Sequence, residues 1–426
     1  MKKVLFWAIA LRLLVAGLIF HPDIKTYNFQ SSFLKHGVFN IYTYLVDNKK
    51  SLTLKDDFVY FPLTYFAVGG YQWAISPIIG AGFDSWLADA SSTSVVSSPN
   101  IFKYLIILKL PYLILDILIA FLLMKFFKDR EEGKKAFALW LFNPFTIYLI
   151  YAFSNIDIFA VLLTLIAFLL LKKDLPAARL PAGQGRQGNL LQASALIGLA
   201  AGFKLYPILF IPFMVLKARG LKEKVLVVMV PLLILTAIVL PFWSQAFIQS
   251  ALVSGLTTRI FNPGFSIGFN ESMIVSLLAI STLFFYAWLI DKKISPFNYW
   301  FILLLLIFSF SHFHIAWLLW IAPFAVILSV KKPKFSLPIF LLATLALMIP
   351  MLYQDRSMTI SLFRVYSTWY DLIPTPFAVL EKFYDPYNLQ SILHSIVAGG
   401  SLIIGFKLLG EGRRPRGSMA RRGDSK

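Results

Sequence analysis

Apolar runs recur along this chain from one end to the other, and no polar stretch between them is long enough to fold alone in water. In hydrocarbon every backbone N–H and C=O must be satisfied internally, which restricts such a pattern to membrane helices or a closed barrel. The runs are continuous and do not alternate, and several reach the ~20 residues that a spanning helix needs. Charged residues make up only 14% of the chain, well under the roughly 25% of soluble domains. The expectation is therefore an all-α, polytopic integral membrane protein with one domain over residues 1–409 and a basic tail at 410–426. Cysteine is absent, which excludes disulfides and thiolate metal sites.

A first helix is expected from Val4 to Phe20. It resembles a secretory signal, but Arg12 interrupts it, and Ala8-Ile9-Ala10 falls too early for a cleavage site. The next apolar segment, Phe61 to Ile79, is broken by Pro62, Gly69-Gly70 and Pro77. Were it to span, the basic run Lys125 to Lys135 would be exported, against the positive-inside rule. Residues 21–100 are thus expected to form one large external loop with interfacial or re-entrant helices. Spans follow near 101–124, 137–153 and 157–171. Two pieces of about 12 residues, 193–203 and 205–216, meet at Lys204-Leu205-Tyr206-Pro207 as a strained or re-entrant hairpin beside a wet cavity. Further spans fall near 225–243, 272–290, 297–311, 315–330, 337–353 and 390–409. That makes about ten full spans plus the short hairpin, with both termini cytoplasmic.

The formal charge of +19 invites a nucleic-acid partner. On this topology, however, the cytoplasmic segments hold 27 Lys+Arg and 8 acids, and 27 minus 8 equals the whole excess. The basicity reports membrane orientation and contact with anionic lipid, and no nucleic-acid partner is needed.

All five histidines (His21, His36, His312, His314, His394) fall on the external side, with Asp23, Asp157, Lys204 and Arg259. No inner loop carries a Gly-rich phosphate loop. An enzyme working on that face has no cytosolic nucleotide at hand, so its activated donor must be carried in the membrane. A polyprenyl-phosphate sugar meets that requirement. Its transfer to a hydroxyl needs a carboxylate to take the acceptor proton and positive groups around the departing phosphate.

The ordered series Asp23 with Tyr27, Gly37-Val38-Phe39-Asn40-Ile41-Tyr42, Tyr60-Phe61-Pro62-Leu63, Leu115-Asp116-Ile117-Leu118, Asn143-Pro144, Asn155-Ile156-Asp157 and Lys204-Leu205-Tyr206-Pro207 resembles the GT-C superfamily of membrane glycosyltransferases. It is closest to the polyprenyl-phosphate-mannose-dependent mannosyltransferases, including the catalytic subunit of GPI mannosyltransferase I. The resemblance covers roughly residues 5–215. It implies a GT-C fold in the plasma membrane, an active site on the extracytoplasmic face, a hexose donor (mannose first) and a glycan, lipid or protein acceptor. It also implies Asp23 as general base, where the family often carries a D-x-D-like pair. Here Lys25 stands in the second position, so a divalent metal is not supported by a paired-carboxylate motif and no cofactor is firmly expected.

Lys25, Tyr27, Tyr60, Asp157, Lys204, Tyr206, Arg259, His312 and His314 are the candidates for donor or substrate contact. Each has a plainer alternative. Asp23 after Pro22 is an ordinary helix N-terminal residue; Lys204 would pair with an acid such as Asp116 or Asp157, and Arg12 with Asp116; Asp157 would cap a helix. His312 and His314 would hydrogen-bond at the interface, and Arg259 would anchor to headgroups. Two other functional classes share these features: a lipid or sugar transporter or flippase, and a noncatalytic subunit of a glycosylation complex.

Overall fold

The computed structural model describes residues 1–80, 82–91, 94–172, 184–254, 258–290 and 296–411. Most of the inner loop after Lys172, the Lys292-Lys293 pair and the basic tail beyond 411 lie outside the described residues. The chain is predominantly helical. Among the described residues, four helices are long and apolar enough to cross a membrane: Ile101–Met124, Leu221–Phe242, Pro333–Met351 and Pro386–Gly410. Six shorter apolar helices of 10–17 residues, among them Ile158–Lys172 and Pro296–Phe310, pack with them.

The first helix, Lys2–Leu18, ends where Ile19 turns extended. Its orphan carbonyls at that end are met by Lys109, whose ammonium donates to the carbonyls of Ala16 (3.1 Å) and Ile19 (2.6 Å). After this break a second helix, Pro22–Ser32, leaves at 82° to the first. His21 caps it, Nδ1 accepting from the Asp23 N–H at 3.2 Å, and Pro22 occupies the first helical position, where its missing N–H costs nothing. The Phe20 N–H donates to the carbonyl of Leu362, tying the corner to the far end of the chain. Asp23 thus sits in the first turn of a helix that starts just past the end of the first apolar helix.

That second helix lies against Pro62–Ile79, a single 18-residue helix. The two approach closely at Gly69, where a Cβ would fall 2.6 Å from the carbonyl oxygen of Ser31. Gln72 locks the contact, donating to the carbonyl and the side-chain oxygen of Asn28.

Three expected boundaries are corrected. The continuous span 137–153 is instead a helix Arg130–Leu141, a break, a short helix Pro144–Ile147 and a π turn Tyr148–Ala152. The cause is Asn143-Pro144: Asn143 caps the Phe145 N–H at 2.9 Å, and Pro144 cannot continue the preceding ladder. The hairpin around Lys204 has unequal arms, an 18-residue helix Gln184–Ala201 and a broken arm of a 3-10 turn Tyr206–Phe210 followed by Ile211–Val215. Pro207 and Pro212 divide the second arm. Among the described residues the helical architecture also carries a short strand pair. Residues expected in the loop 244–271 and at the head of the 272–290 span form an antiparallel hairpin of β1, Gly264–Gly268, and β2, Glu271–Ile274. Its turn uses positive φ at Gly268, Phe269 and Asn270. Glycine and asparagine tolerate that conformation readily, whereas Phe269 does not.

Inside the bundle, Arg12 and Asp116 are both fully buried and joined at 2.5 Å. Asp116 also accepts from Trp140 Nε1 (2.5 Å) and Tyr151 Oη (2.8 Å), while Arg12 donates to the Leu141 carbonyl at 2.6 Å. This pairing settles the plain alternative for Arg12 and takes Asp116 away from Lys204.

Candidate active site

Asp23 points from the start of its helix into a crowded region. Its side chain remains 44% accessible, so neighbouring protein crowds the carboxylate without covering it. Burial, reinforced by the negative charges of Asp355 and Asp56, pushes its carboxyl up to about 7. The imidazole of His21, 3.7 Å away, gives no ion pair: burial pushes it down to about 3, and its Nδ1 already accepts from the Asp23 N–H.

A row of rings extends from this point. His21 packs on Phe153 with centroids 4.3 Å apart, and His314 meets the same phenyl ring at 5.4 Å. His314 caps the next turn, Nδ1 accepting from the Ala316 N–H at 3.4 Å. Burial first, then the charges of Lys204 and Arg259, pushes this imidazole down to about 3 and holds it neutral.

The turn Ser154-Asn155-Ile156-Asp157 forms the opposite wall. Ser154 adopts φ 61°, a left-handed conformation. Asn155 donates to the carbonyl of Ala316 at 2.8 Å and accepts from the Asp157 N–H at 2.9 Å. The Asp157 carboxylate accepts from Trp320 Nε1 at 2.8 Å. Its pKa is raised by burial, opposed by Lys204 and by the indole N–H. Tyr206 stacks face to face on Trp320 at 4.1 Å. Tyr27 makes a 2.5 Å hydroxyl contact with Tyr112 and donates to the Ser154 carbonyl. Tyr60 lies edge-on to Tyr27; burial raises its hydroxyl pKa, with Asp23 and Asp157 both near enough to add to the effect.

Lys204 stands over the face of Tyr60, its ammonium 5.1 Å from the ring centroid, and acts electrostatically on both Asp157 and His314. Arg259 borders the same group: it interacts with His312, His314 and Tyr353, and His312 stacks on Tyr353 at 5.3 Å.

The structure therefore gathers Asp23, Tyr27, Tyr60, Asp157, Lys204, Tyr206 and His314 into one cluster of neighbouring side chains, with Arg259 and His312 at its margin. Lys25 is not brought there. Two residues along a helix turn it by ~200° from Asp23, and its ammonium donates to the Asp89 carbonyl (2.5 Å) and Ser94 Oγ (2.8 Å) beneath the Trp86 ring. Four residues of the cluster escape sequence reasoning: Asp355, Asp56, Tyr112 and Trp320. Asp355 and Asp56 are acids in segments expected to be external, a faint signal; nothing distinguishes Trp320 or Tyr112 from other aromatics of apolar runs. Among the described residues no group of three or more His, Asp or Glu is placed to hold a metal ion. Compared with known proteins, the chain matches no family model, no curated protein and no solved structure.

Proposed function

We propose that the chain is a GT-C-type membrane glycosyltransferase that moves a hexose from a polyprenyl-phosphate donor to an acceptor hydroxyl, with Asp23 as general base. In this reading about ten spans and the short hairpin cross or enter the plasma membrane, both termini are cytoplasmic, and the cluster faces the extracytoplasmic side. The observation that carries it is the state of Asp23: an accessible carboxylate, without a cationic partner among the described residues, tuned to about 7 by burial and two neighbouring acids. A base whose pKa lies near the working pH is both sufficiently ionised and sufficiently basic.

Each residue then has a task. Asp23 takes the proton of the acceptor hydroxyl as its oxygen bonds to the sugar's anomeric carbon, and the bond from that carbon to the phosphate oxygen breaks. The electron pair leaves on the polyprenyl phosphate. Lys204, and Arg259 at the margin, supply positive charge for that phosphate. Tyr60 borders the hexose beneath Lys204, and Tyr206 and Trp320, stacked on each other, hold in place the Asp157 carboxylate, which accepts from the sugar's hydroxyls.

The test is Asp23→Asn in purified, lipid-reconstituted protein supplied with polyprenyl-phosphate mannose and other polyprenyl-phosphate hexoses. Loss of ~10²–10⁴-fold in sugar transfer is expected, the range associated with a general base. Unchanged turnover in folded protein would overturn the mechanism, and donor crossing the bilayer without being consumed would replace it with transport.

A further inference from the structure

The β1–β2 hairpin is amphipathic in a way that its position explains. Phe265 lies directly opposite Met273 on one face, and Ser266 opposite Ser272 on the other, with Ile267 in the irregularity between Ser266 and Gly268. Every residue from Gly264 to Met273 is exposed or nearly so, and Phe269 at the turn makes essentially no contact, at 104% exposure. Phenylalanine, isoleucine and methionine presented together in this way form an apolar surface that water disfavours.

What covers that face follows from what the hairpin joins. β2 ends at Ile274, and the apolar helix Val275–Phe285 begins at the next residue, with Leu277 and Leu278 exposed on its first turn. In a membrane-embedded chain those leucines face lipid, so the hairpin's apolar face continues a lipid-facing surface beyond the end of a membrane helix. At that same open end the hairpin is fastened to the segment carrying Arg259: the Val275 N–H donates to the Pro263 carbonyl at 3.0 Å, and Ser276 Oγ donates to the Ile260 carbonyl. Arg259 in turn acts on His312 and His314, which places the hairpin at the same end of the bundle as Asp23. Glu271, beside the turn, sets the depth, because a carboxylate is expensive in hydrocarbon and stays among the headgroups.

We propose that the hairpin Gly264–Ile274 is a lipid-docked anchor: it lies in the bilayer interface at the Asp23 end, with Phe265, Phe269 and Met273 against the acyl chains and Ser266 and Ser272 toward water. The anchor fixes the Arg259 segment at headgroup level. Interfacial elements of this kind bury their apolar face ~5–10 Å into the headgroup and acyl boundary.

The chain contains no cysteine, so single labels can be placed without background. The full-length protein is prepared as Phe265→Cys, Phe269→Cys, Ser266→Cys and Ser272→Cys, each labelled with a nitroxide in phospholipid nanodiscs holding one copy and in proteoliposomes. All four side chains are exposed, so none of these changes removes core packing. The expected result is an alternation: labels at 265 and 269 collide more with dissolved oxygen than with a water-soluble nickel chelate, and labels at 266 and 272 show the reverse. Equal access of the chelate to all four sites would overturn the proposal. So would spin–spin broadening at 265 in proteoliposomes with chelate access at 265 in single-copy nanodiscs, which would assign the face to a second copy of the chain.

Discussion

Asp116 and Asp23 are both acids set among aromatic residues, and their surroundings are opposite in kind. Asp116 is fully buried and saturated, with Arg12, Trp140 and Tyr151 filling its acceptor sites at 2.5–2.8 Å. Asp23 keeps 44% of its side chain open, pairs with no cation among the described residues, and faces two further acids. A saturated carboxylate has no capacity left for a substrate; an open one whose charge is disfavoured has capacity for a proton. The first belongs to the fold; the second is the proposed base.

The comparison breaks most visibly at Asp116. Asp116→Leu leaves the Arg12 guanidinium buried without its counter-charge, and removing one partner of a buried pair costs about 3–5 kcal/mol. The variant should fail to accumulate as a monodisperse species or should melt far below the parent in the same detergent. Adding Arg12→Met should restore much of the loss, since an apolar pair of similar volume satisfies the same space. Asp23→Asn, by contrast, should purify like the parent and melt no lower than it. If Asp116→Leu were stable and Asp23→Asn were not, the assignment of the two sites would be reversed.

A smaller effect is expected at Trp320, which stands between the two kinds of site by fixing Asp157. Trp320→Phe keeps a ring to stack on Tyr206 but deletes the N–H that donates to Asp157 at 2.8 Å. Hydrogen bonds to charged groups contribute about 1.5–3 kcal/mol, so a modest fall in melting temperature is expected. With the indole N–H gone, the Asp157 carboxyl should move further above its ordinary value, because burial is then opposed by Lys204 with less help. A melting temperature equal to the parent's across pH would show that the bond carries no weight.

Some of this is legible in the sequence for definite reasons. A charge inside an apolar run must find a partner, which is why Arg12 and Asp116 can be matched across the chain from residue types alone. Apolar runs mark the helices Ile101–Met124 and Pro296–Phe310 to within a residue or so. They fail at Asn143-Pro144, because hydropathy is blind to a cap and a missing N–H in the middle of an apolar stretch. The hairpin is hidden because its turn places Phe269 at φ 49°, where a glycine or asparagine would have signalled it. Proximity in sequence draws Lys25 toward Asp23, while helical geometry sends the two side chains apart. Asp355 escapes for the converse reason: the corner at Phe20 is hydrogen-bonded to Leu362, and no local pattern announces a contact between the two ends of a chain.

Asp355 supplies the finest test. Its charge, after burial, is the next cause of the raised Asp23 carboxyl, ahead of Asp56. A carboxyl raised from 3.8 to about 7 in the folded state binds its proton more tightly there than in the unfolded chain. Folded protein therefore loses stability as pH climbs from the ordinary carboxylate value to about 7, and above that the loss is constant. Asp23→Asn removes this dependence, so melting temperatures of parent and variant should be closest near pH 4, with the parent falling behind as pH rises and the gap levelling off near 7. In an Asp355→Asn background the gap should level off at a somewhat lower pH, because burial, the larger cause, and Asp56 remain. The proposed sugar transfer, which would need Asp23 ionised, should show the same displacement, its rise with pH centred near 7 in the parent and lower in Asp355→Asn. A rise that stays in place when Asp355 is neutralised would mean that the two carboxylates do not share the cluster.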